Sequence, residues 1–484
     1  MLSNPELMRQ ACYIDGAWVG ADGGATISVH NPANGALLGV VPACGKAETS
    51  RAIAAAARAW PAWRAMTALQ RADIMLRWRD LIMQNQDDLA KLMTLEQGKP
   101  LPEARGEIGF ACSFLRWFAE EARRMYGDVV PAPWPGKRIL VTREPVGVVG
   151  IITPWNFPTA MIGRKVGAAF AAGCPVVIKP ASQTPYSALA LAGLAEQAGV
   201  PKGVFNVLTG SAREIGGELT SNPAVRKVSF TGSTEVGKEL IRQCASTVKK
   251  VSMELGGNAP FLIFDDADID LAIVGAMASK YRNTGQTCIC ANRFYVQEGV
   301  YDLFVQKLAV AVSGLKVGNG LDDGVTQGPL IDGKALAKVE SQVKDALAKG
   351  GTLVCGGRRH SLGGNFFEPT VIAGATPAMA FAKEETFGPL APVFRFKTEA
   401  EAIAMANDTE FGLAAYAYTR DLGTAFRVSE ALEYGLVGIN ESLISTCEAP
   451  FGGVKESGMG REGSRHGLDD YTVIKYTCMG GLGG

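Results

Sequence analysis

Residues 146–182 read VGVVGIITPWNFPTAMIGRKVGAAFAAGCPVVIKPAS. VGVVGIITP is aliphatic almost throughout, without the polar alternation of a half-exposed strand, so it predicts a strand buried on both faces. Pro158 suits the first turn of a helix, and the spacing continues that helix from about Pro158 to Ala172. PVVIKP predicts a second buried strand. The alternation then repeats. TPYSALALAGLAEQAG is a helix and GVFNVLTG a strand; AREIGGELT is a helix and RKVSFTG a strand; STEVGKELIRQCAS is a helix and KKVSMELGG a strand. Short apolar strands separated by helices predict an α/β fold with a parallel sheet covered on both faces. Such sheets bind ligands at the carboxyl ends of their strands.

Upstream, residues 46–125 show apolar residues at three- and four-residue spacing and predict three helices, in KAETSRAIAAAARAWPAWRAM, TALQRADIMLRWRDLIMQNQDDLAKLMTLEQGK and LPEARGEIGFACSFLRWFAEEARRM. PAPWPGKR, with three prolines, breaks the pattern and predicts an excursion from the main body. Downstream, residues 257–455 carry a second α/β alternation, with helices near 266–283 and 298–314 and strand-like FFEPTVIA and FGLAAYAYT. The tail DDYTVIKYTCM alternates like a half-exposed strand.

A chain of 484 residues exceeds one ordinary core and predicts two or three structural units. Lysine plus arginine equals aspartate plus glutamate at 48 each, which argues against nucleic-acid or membrane-surface binding. No apolar run reaches the length of a membrane span, and the N-terminus lacks a basic region followed by an apolar one, so the expected location is the cytoplasm. Ten scattered cysteines and three histidines, His30, His360 and His466, give no paired ligand spacing for a metal. Most of the cysteines read as small buried hydrophobes.

Several strand ends carry chemistry-bearing residues, each with a plainer alternative. Asn156 in TPWNFP has a side-chain amide that could serve an oxyanion, or it is a turn asparagine. Lys179 and Ser182 in IKPAS stand where an acidic residue commonly meets an adenosine ribose; they suit a 2′-phosphate, or Lys179 is a solvated charge. Gly232 in FTGSTEVG would let backbone approach a pyrophosphate at a helix start, or it serves turn geometry alone. Glu254 in SMELGGNAP is a candidate general base, or a surface carboxylate. NTGQTCICAN, residues 283–292, holds Cys288 and Cys290 in a loop; Cys288 is a nucleophile if exposed to a donor-rich pocket, or both are packing.

Taken together, TPWNFP, KPAS, FTGSTEVG, MELGGNAP, GQTCICANR, EETFGP and PFGGVKESGMGRE occur in the order and spacing of the aldehyde dehydrogenase superfamily, which the chain resembles end to end. Within it, MIGRKVGAAF, YRNTGQTCICANR, LIS at 443–445 and KPASQTPYS are most similar to the NADP-dependent succinate-semialdehyde dehydrogenases. The resemblance implies a Rossmann-type cofactor domain (1–126 and 146–256), an α/β catalytic domain (257–455) and oligomerisation segments (127–145 and 456–484), in a homodimer or homotetramer. It implies Cys288 as nucleophile, Asn156 and the Cys288 backbone N–H as oxyanion donors, and Glu254 as general base. It implies NADP, with NAD possible, held by Trp155, Lys179, Ser182, Gly232, Ser233, Glu385 and Phe387. A small anionic aldehyde would meet Arg164, Arg282 and Ser445, although NESLISTCEAPFGG departs from the commoner sequence around Ser445. Met161 and Phe451 are bulky residues of the same segments. Rivals on the same residues are a five-carbon ω-semialdehyde and a non-catalytic binding protein on this fold. Cys290, two residues from Cys288, would lie within disulfide reach in an extended loop and could capture an oxidised Cys288, or it packs behind it.

Overall fold

The aliphatic runs that open the reading form the centre of an eight-stranded sheet in the computed structural model, which describes residues 2–481. Five of its strands are parallel: β1 (Val148–Ile152), β2 (Val176–Lys179), β3 (Phe205–Val207), β4 (Val225–Thr231) and β5 (Lys250–Glu254), in the order β3-β2-β1-β4-β5. Every residue of β2 and β3 is buried, including Asn206, whose amide donates to the Val176 and Gly203 carbonyls at 3.1 and 2.8 Å. The helix after β1, here α1, is Ala160–Ala172, and all thirteen of its residues are buried. Between β1 and β4 the strand order reverses, and there the chains leaving the two strands diverge and open a crevice.

The edges of this sheet come from segments that the alternation alone does not reveal. Cys12–Ile14 and Ala17–Val19 add antiparallel strands beyond β3. Gly458–Met459 pairs antiparallel with β5, Gly458 opposite Glu254. Residues 456–471 therefore pack on the first unit, and only Thr472–Met479 enters the separate three-stranded sheet with Arg138–Pro145 and Asp128–Val130. That strand is exposed along nearly its whole length rather than half-exposed. The second expected helix upstream is two, Ala68–Gln84 and Gln86–Gln97, broken at Asn85, whose side-chain amide donates to the Leu81 carbonyl at 2.8 Å.

A second sheet of seven strands is centred on Ala259–Ile263 and Ala291–Gln297, which run parallel. Residues 255–258 carry the chain from the carboxyl end of β5 into the first of these strands. At this junction any Cβ on Gly257 would lie 2.6 Å from the Cys288 carbonyl oxygen. Only glycine lets the two strands meet there. Among the described residues no helix is long and apolar enough to cross a membrane.

Candidate active site

The carboxyl ends of β1, β4 and β5 deliver Trp155 and Asn156, Gly232 and Ser233, and Glu254 to one region, and the loop entering Ala291–Gln297 delivers Cys288 opposite them. Cys288 lines two cavities. One, of about 290 Å³, is bounded by Trp155, Asn156, Gly232, Ser233, Glu385 and Phe387. The other, of about 360 Å³, holds Arg164, Arg282, Ser445, Phe451 and Phe157. Met161 also borders both.

The loop that presents Cys288 is held in uncommon backbone. Asn283 and Thr284 have φ of 51° and 57°, in the left-handed region that a β-branched threonine rarely enters. Gln286 and Asn283 tie the loop to β1: the Asn156 side-chain amide donates to the Gln286 carbonyl at 3.0 Å, leaving its second N–H free. Burial pushes the Cys288 thiol up to about 12, with Arg164 opposing and the carboxyl groups of Glu385 and Glu254 adding to the rise. Burial thus favours the neutral thiol of Cys288 over the thiolate. Cys290 is turned away from both cavities. Its buried thiol rests against the carbonyls of Lys280 and Ala291, at 3.5 and 3.6 Å.

Glu254 stands one layer behind the cavities. It is buried, and its Oε2 has no hydrogen-bond partner among the described residues. Burial first, then the charge of Glu462, raise its carboxyl well above the usual range, against Lys165, Arg164 and Arg461. Glu462 itself would be raised by burial, but Lys165 at 2.6 Å and Arg164 at 3.7 Å outweigh that and hold it below its ordinary value. Lys165 and Glu462 are part of the site's electrostatics that sequence reading missed. Their only signal is a second cation, Lys165, directly after Arg164 in an otherwise apolar helix.

Arg164 sits in a cage of rings, 3.8 Å from the Phe451 centroid and 5.1 Å from that of Phe114, and donates to Ser445 Oγ at 3.2 Å. Arg282 lines the same cavity, its Nε buried and without a partner among the described residues. The three expected carboxylate-binding residues are therefore brought together despite the unusual sequence around Ser445.

The smaller cavity suits a nicotinamide cofactor. Trp155 and Phe387 meet edge to face at 5.5 Å. Glu385 accepts from the Gly257 N–H at 3.2 Å, and burial raises its carboxyl to about 7. Ser233 caps the helix Thr234–Ala245, whose start offers N–H groups to an anion. Lys338, also missed from the sequence, lines this cleft from the second unit. Lys179 and Ser182 are not in it. Lys179 is 5% exposed at the end of β2 rather than solvated, with no anionic partner among the described residues, and burial lowers its ammonium to about 8. Ser182 lines a separate cleft with His30, Asn31 and Gln183.

The model of the aldehyde dehydrogenase family matches residues 18–477. The chain is 64% identical to the glutarate-semialdehyde dehydrogenase of Pseudomonas aeruginosa, over 99% of this chain and all of that one. It is 63% identical to the NADP(+) succinate-semialdehyde dehydrogenase of Escherichia coli, over 99% of each. A crystal structure of an E. coli NADP-dependent enzyme superposes with a TM-score of 0.99 at 63% identity, covering 99% of this chain and all of that one. With the Cys288 loop set between two clefts and matches that run almost from end to end, the chain belongs to the aldehyde dehydrogenase family.

Proposed function

We propose that the protein oxidises a short aldehyde bearing a terminal carboxylate, succinate semialdehyde, to the diacid, with NADP as the preferred acceptor. The observation that carries this reading is Cys288 bordering two cavities of unlike character, one closing on two guanidinium groups and the other on a helix start and an aromatic pair. An arginine holds a carboxylate through paired, charge-assisted hydrogen bonds, and Arg164 with Ser445 is already arranged to do so. The buried, unpartnered Lys179 favours an anionic ligand beside it, and no acidic side chain follows it in IKPAS to repel a 2′-phosphate. The NADP(+)-named relative agrees.

When bound, the nicotinamide supplies a hydride acceptor. The chain supplies the rest. The Cys288 sulfur gives its proton to water and bonds to the aldehyde carbon, whose carbonyl electron pair moves onto the oxygen. The resulting oxyanion is met by the free Asn156 N–H and by the Cys288 backbone N–H, which has no acceptor among the described residues. Loss of hydride from that carbon leaves a thioester on Cys288. Glu254 takes a proton from water, the water oxygen attacks the thioester carbon, the carbon–sulfur bond breaks and the acid departs. A carboxyl held well above the ordinary range is a base strong enough for this step.

The five-carbon homologue is a second reading, favoured by the P. aeruginosa relative. One methylene separates the two substrates, about 1–3 kcal/mol of discrimination. Steady-state rates for aldehydes of three to six carbons, with and without a terminal carboxylate, against NADP and NAD, test all of this. The expected maximum is the four-carbon semialdehyde with NADP. A five-carbon maximum selects the second reading. Equal kcat/KM for charged and uncharged aldehydes overturns both.

A further inference from the structure

Gly98 ends the helix Gln86–Gln97 in the left-handed region, φ 97°, and sends the next residue, Lys99, into the interior. Lys99 is 1% exposed. Its Nζ lies 2.5 Å from Glu107 Oε2, 2.7 Å from the Asn156 carbonyl oxygen and 4.0 Å above the Phe157 ring. The other carboxylate oxygen of Glu107 accepts from the backbone N–H groups of Thr159 and Ala160, at 2.9 and 3.0 Å. Residues 156–160 are thus gripped at both ends by one buried ion pair. Pro158 in their middle has no N–H through which the turn could be held from within. Asn283 adds a second donor to the Asn156 carbonyl, at 3.1 Å.

A buried ion pair is a poor device for stability, since well-packed apolar residues of the same size commonly do as well or better. What this pair supplies is position. It fixes the backbone of Asn156 and the start of α1 against each other, while Gln286 fixes the Asn156 amide. We propose that Lys99 and Glu107 are positioning residues for the oxyanion donor, setting where the free N–H of Asn156 points. The inference rests on the reading of Asn156 given above.

A double-mutant cycle tests it, read as the pre-steady-state burst of reduced NADP with succinate semialdehyde. Replacing Lys99→Met together with Glu107→Gln removes both charges and keeps an oxygen for the Thr159 and Ala160 N–H groups. This pair variant is expected to slow the burst roughly ten- to hundredfold with KM and cofactor Kd moving less than about threefold. In an Asn156→Ala background the same pair is expected to cost less than about threefold more, because the group it positions is gone. Loss of the full factor again in that background overturns the inference and leaves Asn156 as the donor. An undiminished burst in Asn156→Ala alone overturns both. If the pair variant fails to bind cofactor, Glu107→Gln alone enters the same cycle, with about a three- to tenfold loss expected that vanishes with Asn156→Ala. Persistence of that loss counts against the clamp.

Discussion

On the proposed mechanism Cys288 and Glu254 both change protonation state during turnover, and burial raises both above their ordinary values. Cys288→Ala is expected to abolish aldehyde oxidation and to leave cofactor binding intact, measured by fluorescence titration; normal turnover would remove the nucleophile assignment. Glu254→Gln is expected to give one burst of reduced cofactor and then stall. In the wild type, hydrolysis needs the carboxylate form. With its carboxyl held high by burial and by Glu462, the limb over which kcat rises with pH as the proton is lost should lie above the ordinary carboxylate range, and Glu254→Gln should lose that limb. A flat wild-type profile there would count against Glu254 as the base. Residue identities were legible in the sequence, but their directions were not. Cys288 and Cys290 stand two apart in one loop, and only the fold decides that one borders two cavities while the other rests on the Lys280 carbonyl. Lys179 looks like a solvated strand end until the packing around β2 buries it.

At the scale of elements, α1 carries Arg164, Lys165 and the turn bearing Asn156, and its placement depends on a close contact. A Cβ on Gly163 would lie 2.8 Å from the backbone oxygen of Ala111 on the helix Leu101–Glu121. Gly163→Ala must push the helices apart, at a cost of about 1–3 kcal/mol by analogy with overpacked cores. A lowered denaturation midpoint with a raised KM for a carboxylated aldehyde is expected; a variant unchanged in both would show that the contact yields freely. The five parallel strands were readable from the nearly aliphatic β1 and β2 and from the regular strand–helix alternation; the polar residues inside β4 and β5 do not break it, because Lys227, Ser229 and Ser252 are hydrogen-bonded to one another within the sheet. The break at Asn85 was not, because helix-forming residues continue on both sides of it and a single side chain capping Leu81 ends the turn. Nor was the return of residues 456–471, whose strand is two residues long and whose anchor is the ion pair of Glu462 with Lys165.

For the whole molecule, the most exposed apolar surface includes the three-stranded sheet, where Val129, Ile474 and Tyr476 are 77%, 71% and 59% exposed. We propose that this sheet serves self-association. Ile474→Asp with Tyr476→Asp should lower the particle mass in light scattering, and an unchanged mass would move the contact elsewhere. The two cavities meeting at Cys288 have a consequence for reagents that never turn over. Small thiols alkylate more slowly with iodoacetate than with neutral iodoacetamide, but here the approach on one side leads past Arg164 and Arg282. That order should invert at Cys288, a covalent record of the cavity's charge. It should revert in Arg282→Ala, and alkylation rates that keep the small-thiol order in the native enzyme would show that the two guanidinium groups do not draw anions to the sulfur.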